Sequence, residues 1–325
     1  VRAWLVLLAA CGSGHSAGPR GAASDATDAA ADAPACTPPI TPDAQPASAA
    51  TACTANGLPG SCLDTSVCTG ARTPYTGACA GPVNIECCTP RFADSIECDP
   101  NQEPKPNACL TEEPGDAGCP AGMAKVDTFC VDRFEAALVD TTGASWSPYI
   151  HPGTASVRAV SLRGAVPQAY ISQIEAGAAC TAAGKRLCTD IEWLRACQGP
   201  QMTTYPYGNT RMPGTCNDAR TPHPAAELYG TTASWIYSHL DSPCINQLAN
   251  SVALTGSHTG CFTAEGAYDM MGNVHEWTAD PAGTFRGGYY VDTVLNGNGC
   301  LYATTAHDTS YWDYSTGFRC CADLQ

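Results

Sequence analysis

The chain has 325 residues, with 31 acidic against 16 basic side chains and 21 cysteines. So acidic a balance leaves no clustered Lys and Arg for a nucleic-acid groove or an anionic membrane patch, and it suits a secreted or cation-binding protein. The cysteines sit among Gly, Pro, Thr and Asn without regular CxxC pairs, which argues against zinc sites and for disulfides made in an oxidising compartment.

Residues 1–10 (VRAWLVLLAA) carry one Arg and then an apolar run. It is shorter than the roughly 20 residues that span a bilayer. The run ends at Leu8-Ala9-Ala10-Cys11 and resembles a bacterial lipoprotein signal with its lipobox. The resemblance implies cleavage before Cys11 and lipidation of its thiol. It places the protein in the bacterial cell envelope, periplasmic or at the cell surface, touching the membrane only through that lipid. Residues 11–52 have almost no large apolar side chain and read as a disordered linker.

Residues 53–88 form a small cysteine-rich module with Cys53, Cys62, Cys68, Cys79, Cys87 and Cys88. So short a segment has little core, and disulfides are its expected staples. Six cysteines allow fifteen pairings, and the sequence does not choose among them. The layout resembles cysteine-rich modules attached to secreted, cell-wall-associated proteins. Residues 89–118 read as a second linker, tied down by Cys98 and Cys109.

From Cys119 the texture changes. Met123–Ala136 alternates apolar and polar residues like a strand. Residues 166–183 place Ala169, Ile171, Ile174, Ala178 and Ala179 at helical spacing, with Gly184 as a cap. Thr189 with Glu192 three residues on is a capping box that opens a second helix through about Cys197. Short strands and loops are expected beyond it.

Gly266–Trp277 (GAYDMMGNVHEW) gathers four oxygen donors within eight residues. They are the carboxylates of Asp269 and Glu276 and the main-chain carbonyls of Gly272 and Val274. Calcium takes such oxygens at about 2.3–2.6 Å. On these residues alone, a glycine turn between a helix and a strand, with two solvated acids, is the competing reading.

AAGKRLCTDIEWLRAC (182–197), YPYGN (205–209), Cys216-Asn217, GAYDMMGNVHEWTAD, FRGGYY (285–290) and GFRC (317–320) keep one order and spacing. Together they resemble the formylglycine-generating enzyme, or sulfatase-modifying factor, domain over residues 119–325. The resemblance implies an α+β, loop-rich and disulfide-rich variant of the C-type-lectin-like fold. It implies a structural calcium on Asp269, Gly272, Val274 and Glu276, and Asn217 as a ligand of a second. It also implies the disulfides Cys180–Cys320 and Cys197–Cys300.

Active members of that family oxidise a cysteine of a sulfatase peptide to formylglycine, using oxygen and a copper ion held by two cysteines. That pair follows the GG of the FRGG-like motif and precedes the structural cysteine aligned with Cys300. Here Tyr289–Gly299 contains no cysteine, and the two positions fall near Tyr290 and Leu295. Copper is therefore not expected, and no catalytic residue is assigned. Cys321 is expected to reach an extra partner such as Cys188, since adjacent cysteines bond poorly to each other. His275 stands where the family has a large aromatic and reads as a partly buried histidine beside Trp277 rather than a metal ligand.

The expected function is a lipid-anchored domain that binds a peptide or carbohydrate in the cleft used by substrate in active relatives. Tyr289, Tyr290, Tyr302, Trp312 and Tyr314 are the candidate lining. One alternative is an active or divergent formylglycine-generating oxidase. Another is an adhesive surface protein whose 53–88 module makes the contact. No nucleic-acid partner is expected.

Overall fold

The computed structural model describes residues 51–55, 58–65, 72–90 and 98–325. The 1–10 leader, Cys11, nearly all of the 11–52 linker and Cys68 lie outside the described residues.

The small module is one antiparallel sheet. Its strands β1 (Ala52–Ala55), β2 (Leu58–Asp64), β3 (Arg72–Tyr75) and β4 (Ile85–Pro90) lie in the order β1-β2-β4-β3. Cys53–Cys87 and Cys62–Cys79 pin it, and Cys88 is disulfide-bonded as well.

The remainder combines short strands, few helices and long ordered loops. Met123–Ala136 is two strands rather than one: β5 (Met123–Val126) and β6 (Phe129–Asp132) form a hairpin. The alternation continues across the turn, but Asp127 at φ 48° reverses the chain. β7 (Ala136–Asp140) pairs with β8 (Val157–Ser161). Helix α1 (Gln173–Ala182) begins later than its spacing suggests. Ser172 and Glu175 form a capping box there, Ile171 is buried ahead of the helix, and Ile174 is 61% exposed. Periodicity counted extended residues as helical ones. Gly184 at φ 72° turns the chain out of the helix into β9 (Arg186–Leu187).

Helix α2 (Asp190–Gln198) starts at the Thr189/Glu192 capping box. The short helix α3 (Pro224–Tyr229) follows. Then come β10 (His275–Trp277), β11 (Phe285–Arg286), β12 (Ala303–Thr304), β13 (Thr316–Phe318) and β14 (Cys320–Asp323). The second sheet runs β5-β6-β14-β9 and the third β12-β11-β10-β13, with β10 and β13 parallel.

Disulfides stitch these pieces over long separations. Cys180 is bonded to Cys320, Cys188 to Cys321, Cys197 to Cys300 and Cys216 to Cys261. Residues 98–118, read as linker, are held against the domain. Cys98 is bonded to Cys244, the Asn107 amide pairs with both backbone groups of Val166, and Glu112 accepts from the Ser161 N–H at 2.9 Å.

The three largest apolar groups account for most of the interior. Trp193 and Met270 centre one, and Trp277 and Phe318 a second against α1. Tyr170, Ile236, Ile245 and Tyr290 form the third.

Candidate functional site

The 266–277 loop is shaped by left-handed residues, Asp269 (φ 58°), Gly272 (φ 81°) and Asn273 (φ 57°). A Cβ at Gly272 would lie 2.2 Å from the Asn217 carbonyl oxygen, so only glycine permits this approach. Asn217 is thereby drawn against the loop. Its amide donates to Asn273 Oδ1 at 2.9 Å and to the Ser251 carbonyl at 2.8 Å.

Asp269 Oδ2 accepts from the Gly256 N–H at 2.6 Å. Both Glu276 oxygens face the Arg319 guanidinium at 2.6 Å, and the Trp193 indole donates to Oε2 at 2.5 Å. A third buried carboxylate, Glu135, accepts from Asn273 Nδ2 and the Val274 N–H. Burial pushes Asp269 up to about 7, and burial with neighbouring Asp269 and Glu276 pushes Glu135 well above the usual carboxylate range. Three buried carboxylates thus lie near the Arg319 guanidinium, which pairs directly with Glu276. The donors are all oxygen, as a hard divalent cation requires, but both Glu276 oxygens are already engaged by Arg319 and Trp193.

The interval that would hold a copper pair is built differently. Tyr290 is fully buried and donates to Asn246 Oδ1 at 2.9 Å, while Leu295 is 81% exposed. Asp292 Oδ1 accepts from the N–H groups of Val294 and Leu295, both at 3.0 Å, and shapes the turn between them. Cys300 is taken by Cys197. All 18 cysteines among the described residues are disulfide-bonded.

Beside β10 and β11 opens a cleft of about 450 Å³. Eight of its eleven lining residues are rings: His223, Tyr237, His275, Phe285, Tyr289, His307, Tyr311 and Tyr314. Leu240, Asp313 and Ser315 complete it, and no Lys or Arg is among them.

Its hydrogen bonds run in fixed directions. Asp313 Oδ1 accepts from Ser315 N and Oγ, both at 2.7 Å, and Oδ2 accepts from the Tyr311 hydroxyl at 2.7 Å. Because Ser315 gives its proton to Asp313, its oxygen receives one from His275 Nδ1 at 3.3 Å. His275 Nε2 then accepts from Tyr302 at 3.4 Å. Burial drives the His275 pKa down to about 3, so the ring is neutral at physiological pH. His223 Nδ1 accepts from the Ala225 N–H, so Nε2 donates to Tyr314, whose hydroxyl reaches Tyr289 at 3.4 Å. Burial pushes the Tyr289 phenol up to about 12, which keeps it protonated.

Of the four tyrosines and one tryptophan expected to line a cleft, the structure brings together Tyr289 and Tyr314. Tyr290 lies in the core below them. Tyr302 sits behind His275. Trp312 stacks on His151 at 3.9 Å and is not among the lining residues. Sequence reasoning missed His223, Tyr237, His307, Tyr311 and Asp313. The available signal was His275, the one ring in GNVHEW that departs from the family pattern.

A family model described as "Sulfatase-modifying factor enzyme 1-like domain" matches residues 111–324. The mouse (Mus musculus) protein "Inactive C-alpha-formylglycine-generating enzyme 2" is 29% identical over 190 residues, 55% of this chain. The chain spans about half the length of that relative, 55%. Among solved structures, PvdO from Pseudomonas aeruginosa is similar at a TM-score of 0.37 and 17% identity, covering 60% of this chain and 80% of that one. CarF is similar at 0.35 and 14%, covering 61% and 87%. With its matching residues, short strands and cystine-tied loops, the chain belongs to the sulfatase-modifying-factor family and carries a formylglycine-generating-enzyme-like domain.

Proposed function

We propose that this domain does not run the copper oxidase reaction and instead binds a ligand, peptide or carbohydrate in character, in its aromatic cleft. One observation carries the reading. The interval that would hold the redox pair has no cysteine, and Cys300 beside it is bonded to Cys197. A soft Cu(I) ion takes thiolates, and a cystine offers none. The name of the mouse relative, an inactive enzyme, supports the same direction.

The disulfides support an extracytoplasmic location. The Leu8–Cys11 run supports lipid attachment at Cys11 in a bacterial envelope. Asp269 and Glu276, with the carbonyls of Gly272 and Val274, are the residues that would hold calcium, and Asn217 lies against the same loop. Such an ion would offset buried negative charge and brace the fold.

The test joins a thiol count on folded, unreduced protein with a copper titration and an assay on a cysteine-containing sulfatase peptide. No reactive thiol in residues 98–325 and no peptide oxidation are expected. Stoichiometric copper binding with conversion of the peptide cysteine would overturn the proposal.

A further inference from the structure

His275 stacks on Tyr289 at 4.8 Å and His307 on Tyr311 at 3.6 Å, covering one face of each tyrosine, while other rings of the cleft meet nearly at right angles. Tyr289 and Tyr314 stand 5.9 Å apart at 73°, and His223 meets Tyr314 at 78° and Tyr237 at 71°. Rings set this way wall a space instead of stacking it shut. Their faces carry the negative side of the aromatic quadrupole.

Beneath them lies Asp313, 5% exposed. Its oxygens already accept from Ser315 and Tyr311, so it adds negative charge to the cleft more than a free acceptor. With no Lys or Arg in the lining, no permanent cation there pairs with a phosphate, sulfate or carboxylate. No Asn or Gln lines it either. What remains is a negative, ring-walled space in a chain of formal net charge −15. Its volume falls in the roughly 300–1,000 Å³ range of small-ligand pockets.

We propose that the cleft binds an alkylated ammonium group through the faces of its tyrosines, with Asp313 supplying the balancing charge. The group could be carried by a choline-like small molecule or by a methylated lysine of a peptide. This rests on the reading of the cleft as a ligand site and names the chemistry its ligand carries.

The test uses the full chain with disulfides intact and follows binding by calorimetry. The probes are choline, its uncharged isostere 3,3-dimethylbutan-1-ol, and a peptide with trimethyllysine or with unmodified lysine. Saturable choline binding is expected, at least tenfold tighter than the isostere. Tyr289→Leu should weaken choline at least fivefold, and Tyr289→Phe should retain it. Tyr311→Leu provides a second reading, and near-UV circular dichroism checks that each variant keeps its fold. Tighter binding of the trimethyllysine peptide than of choline assigns the group to a peptide, and the reverse assigns it to a small molecule. Equal binding of choline and the alcohol, or no binding of any ammonium probe, overturns the proposal. If a neutral oligosaccharide or unmodified peptide then binds and depends on Tyr289, the ligand-cleft reading survives without the cation. If none of these binds, both fall.

Discussion

Arg319 grips Glu276 as a fork, Nε to Oε2 and Nη2 to Oε1, both at 2.6 Å, with the two side chains 0% and 1% exposed. The remaining donors of Arg319 reach the carbonyls of Asp132 and Tyr268 at 2.8 Å. The pair fastens β13–β14 to β10, and Trp193 fastens α2 to the same carboxylate. Arg319→Met would leave Glu276 buried without its cation and should cost about 3–5 kcal/mol. Urea denaturation with disulfides intact measures it. An unchanged midpoint would mean that the pair does not hold these strands together.

The Cys197–Cys300 bond joins residues 103 apart, whereas Cys119–Cys130 spans 11. In a chain-entropy model the longer loop is worth about 5 kcal/mol and the shorter about 3. Replacing both members of each pair by alanine should therefore lower stability more for Cys197/Cys300. Thermal unfolding of the two double variants ranks them, and the reverse order would contradict the loop-length argument.

Acid should weaken the start of α2. Partial burial pushes the Glu192 carboxyl up, but hydrogen bonds from Arg186 and from Thr189 outweigh it, and the net pKa lies below the ordinary value. A carboxyl lowered by folding contributes stability above its unfolded pKa of about 4.3, and that contribution is lost as pH falls through the lower folded value. Glu192→Gln should thus be less stable than the parent at neutral pH, with the gap closing in acid. A gap that stays constant in urea midpoints taken across that range would exclude Glu192 as its source.

Calcium should raise the unfolding temperature if the 269–276 loop holds it. A ligand at one hundred times its Kd adds about 2.7 kcal/mol to the folded state. EGTA should lower the unfolding temperature, calcium should restore it, and Asp269→Asn should blunt both responses. Identical melting curves with chelator and with excess calcium would remove the ion from the loop.

The motifs legible in the sequence turn out to be the scaffold. Lys185 pairs with buried Asp132 at 2.7 Å, Arg186 with Glu192, Asp190 with Arg286, and Cys188 with Cys321. These contacts make α2 recognisable, because a capping box is local and its residues declare themselves. The start of α1 was less legible, since Ile171 is buried by packing outside the helix and mimics a helical position. The cleft was least legible. Tyr289 and Tyr290 are neighbours at the start of a turn, and one lines the cleft while the other is buried in the core. Composition cannot separate them, and His223, Phe285 and Tyr311 meet only through tertiary folding.

Strand β14 carries two adjacent cysteines whose partners, Cys180 and Cys188, precede them by 140 and 133 residues. Successive side chains of a strand face opposite ways, so the two bonds secure different layers. A chain emerging amino end first into an oxidising compartment cannot close either bond until β14 has arrived. Until then Cys180 and Cys188 wait as thiols, close in sequence and free to trap each other. The hazard for this domain lies in its maturation more than in its finished state, and an isomerase that reopens a premature 180–188 bond would set its yield.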